Sequence, residues 1–267
     1  MLACRLVRLT FALLVTASLL AMQQQILSAA EQLRIETEVF LGDEPEPVSH
    51  TVTLFDSGAV YDFVDQPAQI AVFRSPTSSR PGQFVLLDLD TKERTEVATD
   101  RIEALMKKLT RWAQEQDDPL IKFSAKPDFE ETFDSESGIL TLTGSLWRYQ
   151  VASVPAENAK SLSRYREFTD WYTRLNTMMH GTPPPGPRLK LNAALEKHGV
   201  VPVEIRRTVD SDSTSLRATH LFTWRLSKED RARLEQARRY LTSFEKVDNK
   251  DFLEHRGEAS IVRGQSK

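Results

Sequence analysis

Cysteine is nearly missing from this chain of 267 residues, and its single example, Cys4, precedes an apolar run from Leu9 to Met22. It therefore cannot be the lipid-bearing cysteine that follows such a run in a bacterial lipoprotein. If the segment up to Ala30 is removed, no cysteine remains, which excludes a disulfide framework, a thiolate nucleophile and a cysteine metal site. Glycine is sparse, with 10 residues that never cluster, so no glycine-rich phosphate loop exists. The five histidines (His50, His180, His198, His220 and His255) form no HxxxH or HxH pair, so a metal site has no support in spacing. Gly144-Ser145 lacks the remainder of a nucleophile elbow. There is no basic excess either: 35 Lys and Arg against 38 Asp and Glu, interspersed, leave no electrostatic footprint for nucleic acid. Arg231, Arg233, Arg238 and Arg239 alternate with Glu229, Asp230 and Glu235 and read as one solvated helix face.

What is present begins with the amino terminus. Arg5 and Arg8 precede the apolar run of 14 residues, and Ser28-Ala29-Ala30 supplies the small residues a signal peptidase reads. A membrane span needs about 20 residues. The expectation is an export signal cleaved after Ala30, with the periplasm or cell envelope as destination; a short retained anchor is the alternative. The remainder carries 33 basic and 38 acidic groups, 33 − 38 = −5, because only two arginines leave with the signal. The expected organisation is a signal peptide over 1–30, a single β-rich domain over 31–252 and a polar tail over 253–267.

The pattern of the remainder is strand, turn, strand. Leu33, Ile35, Thr37 and Val39 alternate with charged residues, and 49–55 alternates likewise. Asp56-Ser57-Gly58 is a turn. Ile70–Phe73 and Phe84–Leu89 are apolar on both faces, as strands covered on both sides require. Ile102, Leu105, Met106, Leu109, Trp112 and Ala113 then form a helical stripe, with Asp100 or Thr99 as its cap and Asp117-Asp118-Pro119 as its stop. Phe123–Phe133 alternates around Pro127 and reads as strand, followed by strands at 139–143 and 146–151. A second helix over 158–180 carries Leu162, Tyr165, Phe168, Trp171, Tyr172, Leu175 and Met179, and Gly181 stands at its end. Thr182–Pro187 is a stiff spacer, and Pro187 suits the first turn of a helix ending before Gly199. Strands 200–209 and 216–226 follow, the second with Leu216, Ala218, His220, Phe222, Trp224 and Leu226 on one face. Ser227 with Asp230 caps the last helix.

Two acidic clusters resemble catalytic motifs. Asp88-Leu89-Asp90-Thr91 follows an apolar strand, as the nucleophile of haloacid-dehalogenase-type phosphatases does, but Lys92 stands where that motif wants Thr or Val. Asp210-Ser211-Asp212-Ser213-Thr214 fits DxDxT literally, yet it joins two late strands and reads better as a hairpin turn.

The order of elements over 33–245 is similar to the LolA-like lipoprotein-carrier superfamily. The short strand Tyr61-Asp62-Phe63, the apolar strand after it and the Lys92–Glu96 strand carry the likeness; the segment after Trp171, with its proline run, departs from it. The resemblance implies a curved antiparallel sheet forming a half-barrel, with amphipathic helices packed on its concave face and acyl chains received between them. No diagnostic residue transfers one to one.

The expected fold class is thus α+β. The expected function is non-enzymatic, without cofactor or metal: binding of an apolar ligand, a lipid or a lipoprotein acyl chain. Trp112, Phe168, Trp171, Tyr172, Phe222 and Trp224 are the expected apolar lining, because the second helix carries more aromatics than packing requires. The competing reading is that these aromatics simply pack on the sheet. Two other functions stay open: an envelope adaptor with a filled interior, and a hydrolase whose acid and base are distant in sequence.

Overall fold

The computed structural model describes residues 32–209 and 215–264, with side chains through 256. The signal-like segment 1–30 and the acidic segment 210–214 lie outside the described residues.

The alternating stretch before the first helix forms a six-stranded meander. Its strands are β1 (Leu33–Leu41), β2 (Ser49–Asp56), β3 (Ala59–Val64), β4 (Gln69–Arg74), β5 (Gln83–Asp88) and β6 (Glu93–Ala98). Helices α1 (Thr99–Glu115) and α2 (Pro119–Ala125) follow, then β7 (Glu130–Asp134), β8 (Ile139–Thr143) and β9 (Trp147–Pro155). The chain continues through α3 (Ala159–His180), α4 (Gly186–His198), β10 (Val200–Val209), β11 (Leu216–Thr223), α5 (Lys228–Ser243), β12 (Glu245–Lys246) and α6 (Asn249–Gly264). All strands join one open sheet in the order β12-β6-β5-β4-β3-β2-β1-β11-β10-β9-β8-β7. Among the described residues only the two-residue β12 pairs in parallel, with β6; the fold is α+β and its sheet is antiparallel elsewhere.

Antiparallel pairing settles one acidic cluster. Asp88 ends β5 in a hairpin with β6, and its Oδ1 accepts the backbone N–H groups of Asp90 (2.9 Å) and Thr91 (3.0 Å), a turn rather than a nucleophile's strand end. β10 and β11 are likewise antiparallel neighbours on either side of segment 210–214.

Side-chain alternation divides the core by face. On one face of β1–β6, Ile35, Phe55, Phe73, Phe84 and Val97 meet Ile102 and Met106 of α1, Phe168 of α3 and Phe252 of α6. On the opposite face, Leu54, Tyr61, Val72 and Val85 meet Leu234 and Ala237 of α5. In the other half of the sheet, Leu140, Tyr149, Val151 and Ile205 lie under Leu191 and Leu195 of α4. The reverse side there presents Arg148, Gln150, Arg206 and Thr208, all exposed. The helices therefore do not share one side, because α5 covers the back of the first half. No helix among the described residues is long and apolar enough to cross a membrane.

The caps of the later helices match their sequence signals. Asn158 accepts from the N–H of Ser161, Gly181 and Gly199 adopt positive φ, and Ser227 and Asp230 form a reciprocal capping box. Other expectations are corrected. α1 has no side-chain cap: Thr99 spends its hydroxyl on the carbonyl of Gly82, tying the helix to the β4–β5 loop. Its stripe is only partly used, for Leu105 and Trp112 stay exposed while Ile102, Met106 and Ala113 are buried. Asp117-Asp118-Pro119 ends one helix and also starts another, because Asp118 caps α2 through the N–H groups of Leu120 and Ile121. Strand β7 is correspondingly short. β11 ends at Thr223, so Leu226 joins the core under α5 instead of the ladder of Phe222. The stretch from 253, expected as a tail, is helical through Gly264.

Candidate functional site

The second half of the sheet builds a pocket at the junction of β9, β10, α2, α3 and the proline-rich spacer. Arg207 of β10 pairs across from Tyr149 of β9, and alternation sets Trp147, Tyr149, Arg207 and Val209 on the helix-covered face. The carboxyl end of α3 contributes Thr173, Asn176, Thr177 and His180, and Arg188 enters from the first turn of α4. The space they leave measures about 480 Å³. Small-molecule sites run from about 300 to 1,000 Å³.

The rim is stiff by composition. Gly181 ends α3 in the left-handed region, and Pro183, Pro184 and Pro185 line the pocket with their φ fixed by their rings. Gly186 lets this rim approach α2: an added Cβ would lie 2.4 Å from the carbonyl oxygen of Ser124 and 2.8 Å from Cδ of Pro127. Gly186→Ala is expected to push the two apart, costing about 1–3 kcal/mol as over-packing does. A denaturant midpoint reads the loss, and an unshifted midpoint refutes the contact's importance.

The electrostatics are one-sided. The Arg207 guanidinium carbon stands 5.3 Å from the centre of the Trp147 ring. Its Nε is buried with no hydrogen-bond partner, as is the indole Nε1 of Trp147. Arg188 donates from Nε to Oδ1 of Asn192 at 3.0 Å. Among the described residues neither arginine is ion-paired, and none of the pocket-lining residues is Asp or Glu. Both charges bear on the same phenol: burial raises the pKa of Tyr149, and Arg188 and Arg207 pull it the other way. Burial also raises Tyr165, against the pull of Arg188. His220 answers to burial and then to Arg188, which together lower it to about 3. Its Nδ1 is 2.9 Å from the Thr37 hydroxyl and its Nε2 is buried without a partner, so the ring is neutral at ordinary pH.

No protein-family model matches the chain, and no curated protein matches it in sequence. Two uncompensated guanidinium groups, an indole, a phenol, threonine hydroxyls and proline rings suit a molecule with an anionic head and an apolar body. A second depression, about 520 Å³ beside the start of α5, is of mixed charge: there Arg34 already lies 2.8 Å from Glu36 and 3.4 Å from Asp230. No group of three or more His, Cys, Asp or Glu able to share a metal ion occurs among the described residues.

The six aromatics singled out from the sequence lie elsewhere. Phe168 is buried, edge-on to Phe55 at 5.7 Å and stacked on Tyr172 at 5.2 Å. Phe222 stacks on Trp224 at 6.1 Å, and both, with Trp171 and Tyr172, pack against the core that holds Phe168. Trp112 stands apart on α1, 47% exposed. None of the six lines the 480 Å³ pocket; Tyr172 borders a crevice of about 30 Å³. Tyr172 also faces Asp62, a carboxyl only 2% exposed that accepts the Thr53 hydroxyl at 2.6 Å. Burial raises the pKa of Asp62 against the hydrogen bonds from Thr53 and Tyr172. One signal for this pocket is present in the sequence: Arg207 occupies the inward parity of β10 between Ile205 and Val209.

Proposed function

We propose that the chain is a non-enzymatic binding protein for a small amphipathic anion, held between the sheet and the helices. A carboxylate, phosphate or sulfonate head would lie between Arg188 and Arg207, and an apolar or aromatic body would rest on Trp147, Tyr149 and the prolines. The observation that carries this reading is the pair of arginines without acidic partners in a pocket of ligand size. A free fatty acid is the member of this class nearest the acyl ligand that the lipoprotein-carrier resemblance implies. The location we propose is extracytoplasmic, supported by the basic, apolar and small-residue succession from Arg5 to Ala30.

Two fluorescent probes of the same shape test the proposal. 1-Anilinonaphthalene-8-sulfonate carries the anionic head, and N-phenyl-1-naphthylamine lacks it. The sulfonate is expected to saturate at one per chain and to bind about tenfold tighter than the neutral amine, with an advantage that shrinks in salt. Equal binding of the two probes, or no saturable binding, overturns it. The close packing of five of the six aromatics favours a second reading, an envelope adaptor with a filled interior, which expects neither probe to bind.

A further inference from the structure

We infer that Asn192 is a specificity-determining residue: it holds Arg188 in place without neutralising it, so that the pocket selects ligands by charge. This rests on the reading that the pocket takes an amphipathic anion.

Asn192 is 2% exposed, on α4 one helical turn beyond Arg188. Its Oδ1 accepts from Nε of Arg188 at 3.0 Å, and its Nδ2 donates to Oδ1 of Asp170 on α3 at 2.8 Å. Only one orientation of the amide satisfies both neighbours, since a flip would set donor against donor and acceptor against acceptor. The nearest carboxylate in this relay is thus a full amide away from the guanidinium. It also has a cation of its own, for Nε of Arg166 lies 3.7 Å from Asp170. A carboxylate at position 192 would make an ordinary helical ion pair with Arg188 and leave it little charge to offer. Asparagine fixes the same nitrogen and leaves the charge standing. The groups within reach of that charge, Tyr149, Tyr165 and His220, are two neutral phenols and a neutral imidazole, so none of them cancels it.

The test moves the charge by one side chain. In the double variant Asp170→Asn/Asn192→Asp, the number of carboxylates and the hydrogen-bond chain are conserved, but the carboxylate now touches Arg188. Affinity for 1-anilinonaphthalene-8-sulfonate is expected to fall by about tenfold or more, while N-phenyl-1-naphthylamine binds within about twofold of the parent. Asn192→Ala, which leaves Arg188 charged, is expected to keep the preference for the sulfonate. If the double variant does not fold, Asp170→Ala/Asn192→Asp compared with Asp170→Ala/Asn192→Ala makes the same comparison without setting two carboxylates against each other. Unchanged sulfonate affinity in the carboxylate variants, an equal loss for both probes, or loss of the preference in N192A overturns the inference. A parent protein that never prefers the sulfonate brings down the underlying reading instead, which separates the two failures.

Discussion

Replacing both Arg188 and Arg207 with methionine is expected to weaken 1-anilinonaphthalene-8-sulfonate binding by at least about 100-fold. Each charge-assisted hydrogen bond contributes about 1.5–3 kcal/mol, and tenfold in affinity is about 1.4 kcal/mol. Methionine keeps an apolar stem over Trp147, so the wall of the pocket is retained while its charge is removed. Binding of N-phenyl-1-naphthylamine should hold or improve. Lysine at 207 should recover only part of the loss, since it offers a point charge in place of a planar fork that stacks on the indole. Titration of each variant with both probes reads the difference; a double methionine variant that still binds the sulfonate as tightly as the parent removes the arginines from the site.

The second large effect concerns acid. His220 is held neutral, with its pKa lowered from 6.5 to about 3 by burial and by Arg188. In the unfolded chain the imidazole takes up a proton near its ordinary value, and in the folded chain it does not. Stability contributed by this group is complete above pH 6.5 and is lost as pH falls toward 3. One proton corresponds to about 1.4 kcal/mol per pH unit, so the loss between neutrality and about pH 4 amounts to about 3 kcal/mol. His220→Gln is expected to remove that dependence while keeping a partner for Thr37. Asp62 works with the opposite sign: its raised pKa favours the folded state in acid and costs stability as pH rises through it. The difference between parent and variant isolates His220, and denaturant midpoints at neutral pH and about pH 4 supply it. Parallel pH profiles for the two proteins would show that His220 titrates normally.

The framework was legible because its signals are local. Alternation through Phe55, the fully apolar runs at 70–73 and 84–89, the stop at Gly181 and the pairing of Ser227 with Asp230 each lie within a few residues, and each forms the element that its pattern predicts. At α1 the structure departs from the local pattern, because a tertiary contact overrules a local one. Thr99 gives its hydroxyl to the carbonyl of Gly82 instead of capping α1, and Leu105 and Trp112 stay exposed although they continue the stripe of Ile102 and Met106. The pocket was hidden for a related reason. Arg188 and Arg207 belong to a helix start and a strand, Trp147 to another strand, and only the turn through Gly199 and the β9–β10 register bring them together. Several aromatic residues of α3 fill the space between that helix and the meander, and Tyr172 faces the buried Asp62.

The position of β1 has a consequence for how the molecule is made. It is the earliest described strand to leave the ribosome, yet it sits mid-sheet, with β2 on one flank and β11 on the other. Val39 meets Ala218 across that seam, so one edge of β1 stays bare until β11 has emerged. An exposed strand edge invites pairing with other chains. Newly synthesised copies therefore carry a sticky flank until β11 arrives, and a holding chaperone that masks it would raise the yield of native protein more than one that speeds the closing step.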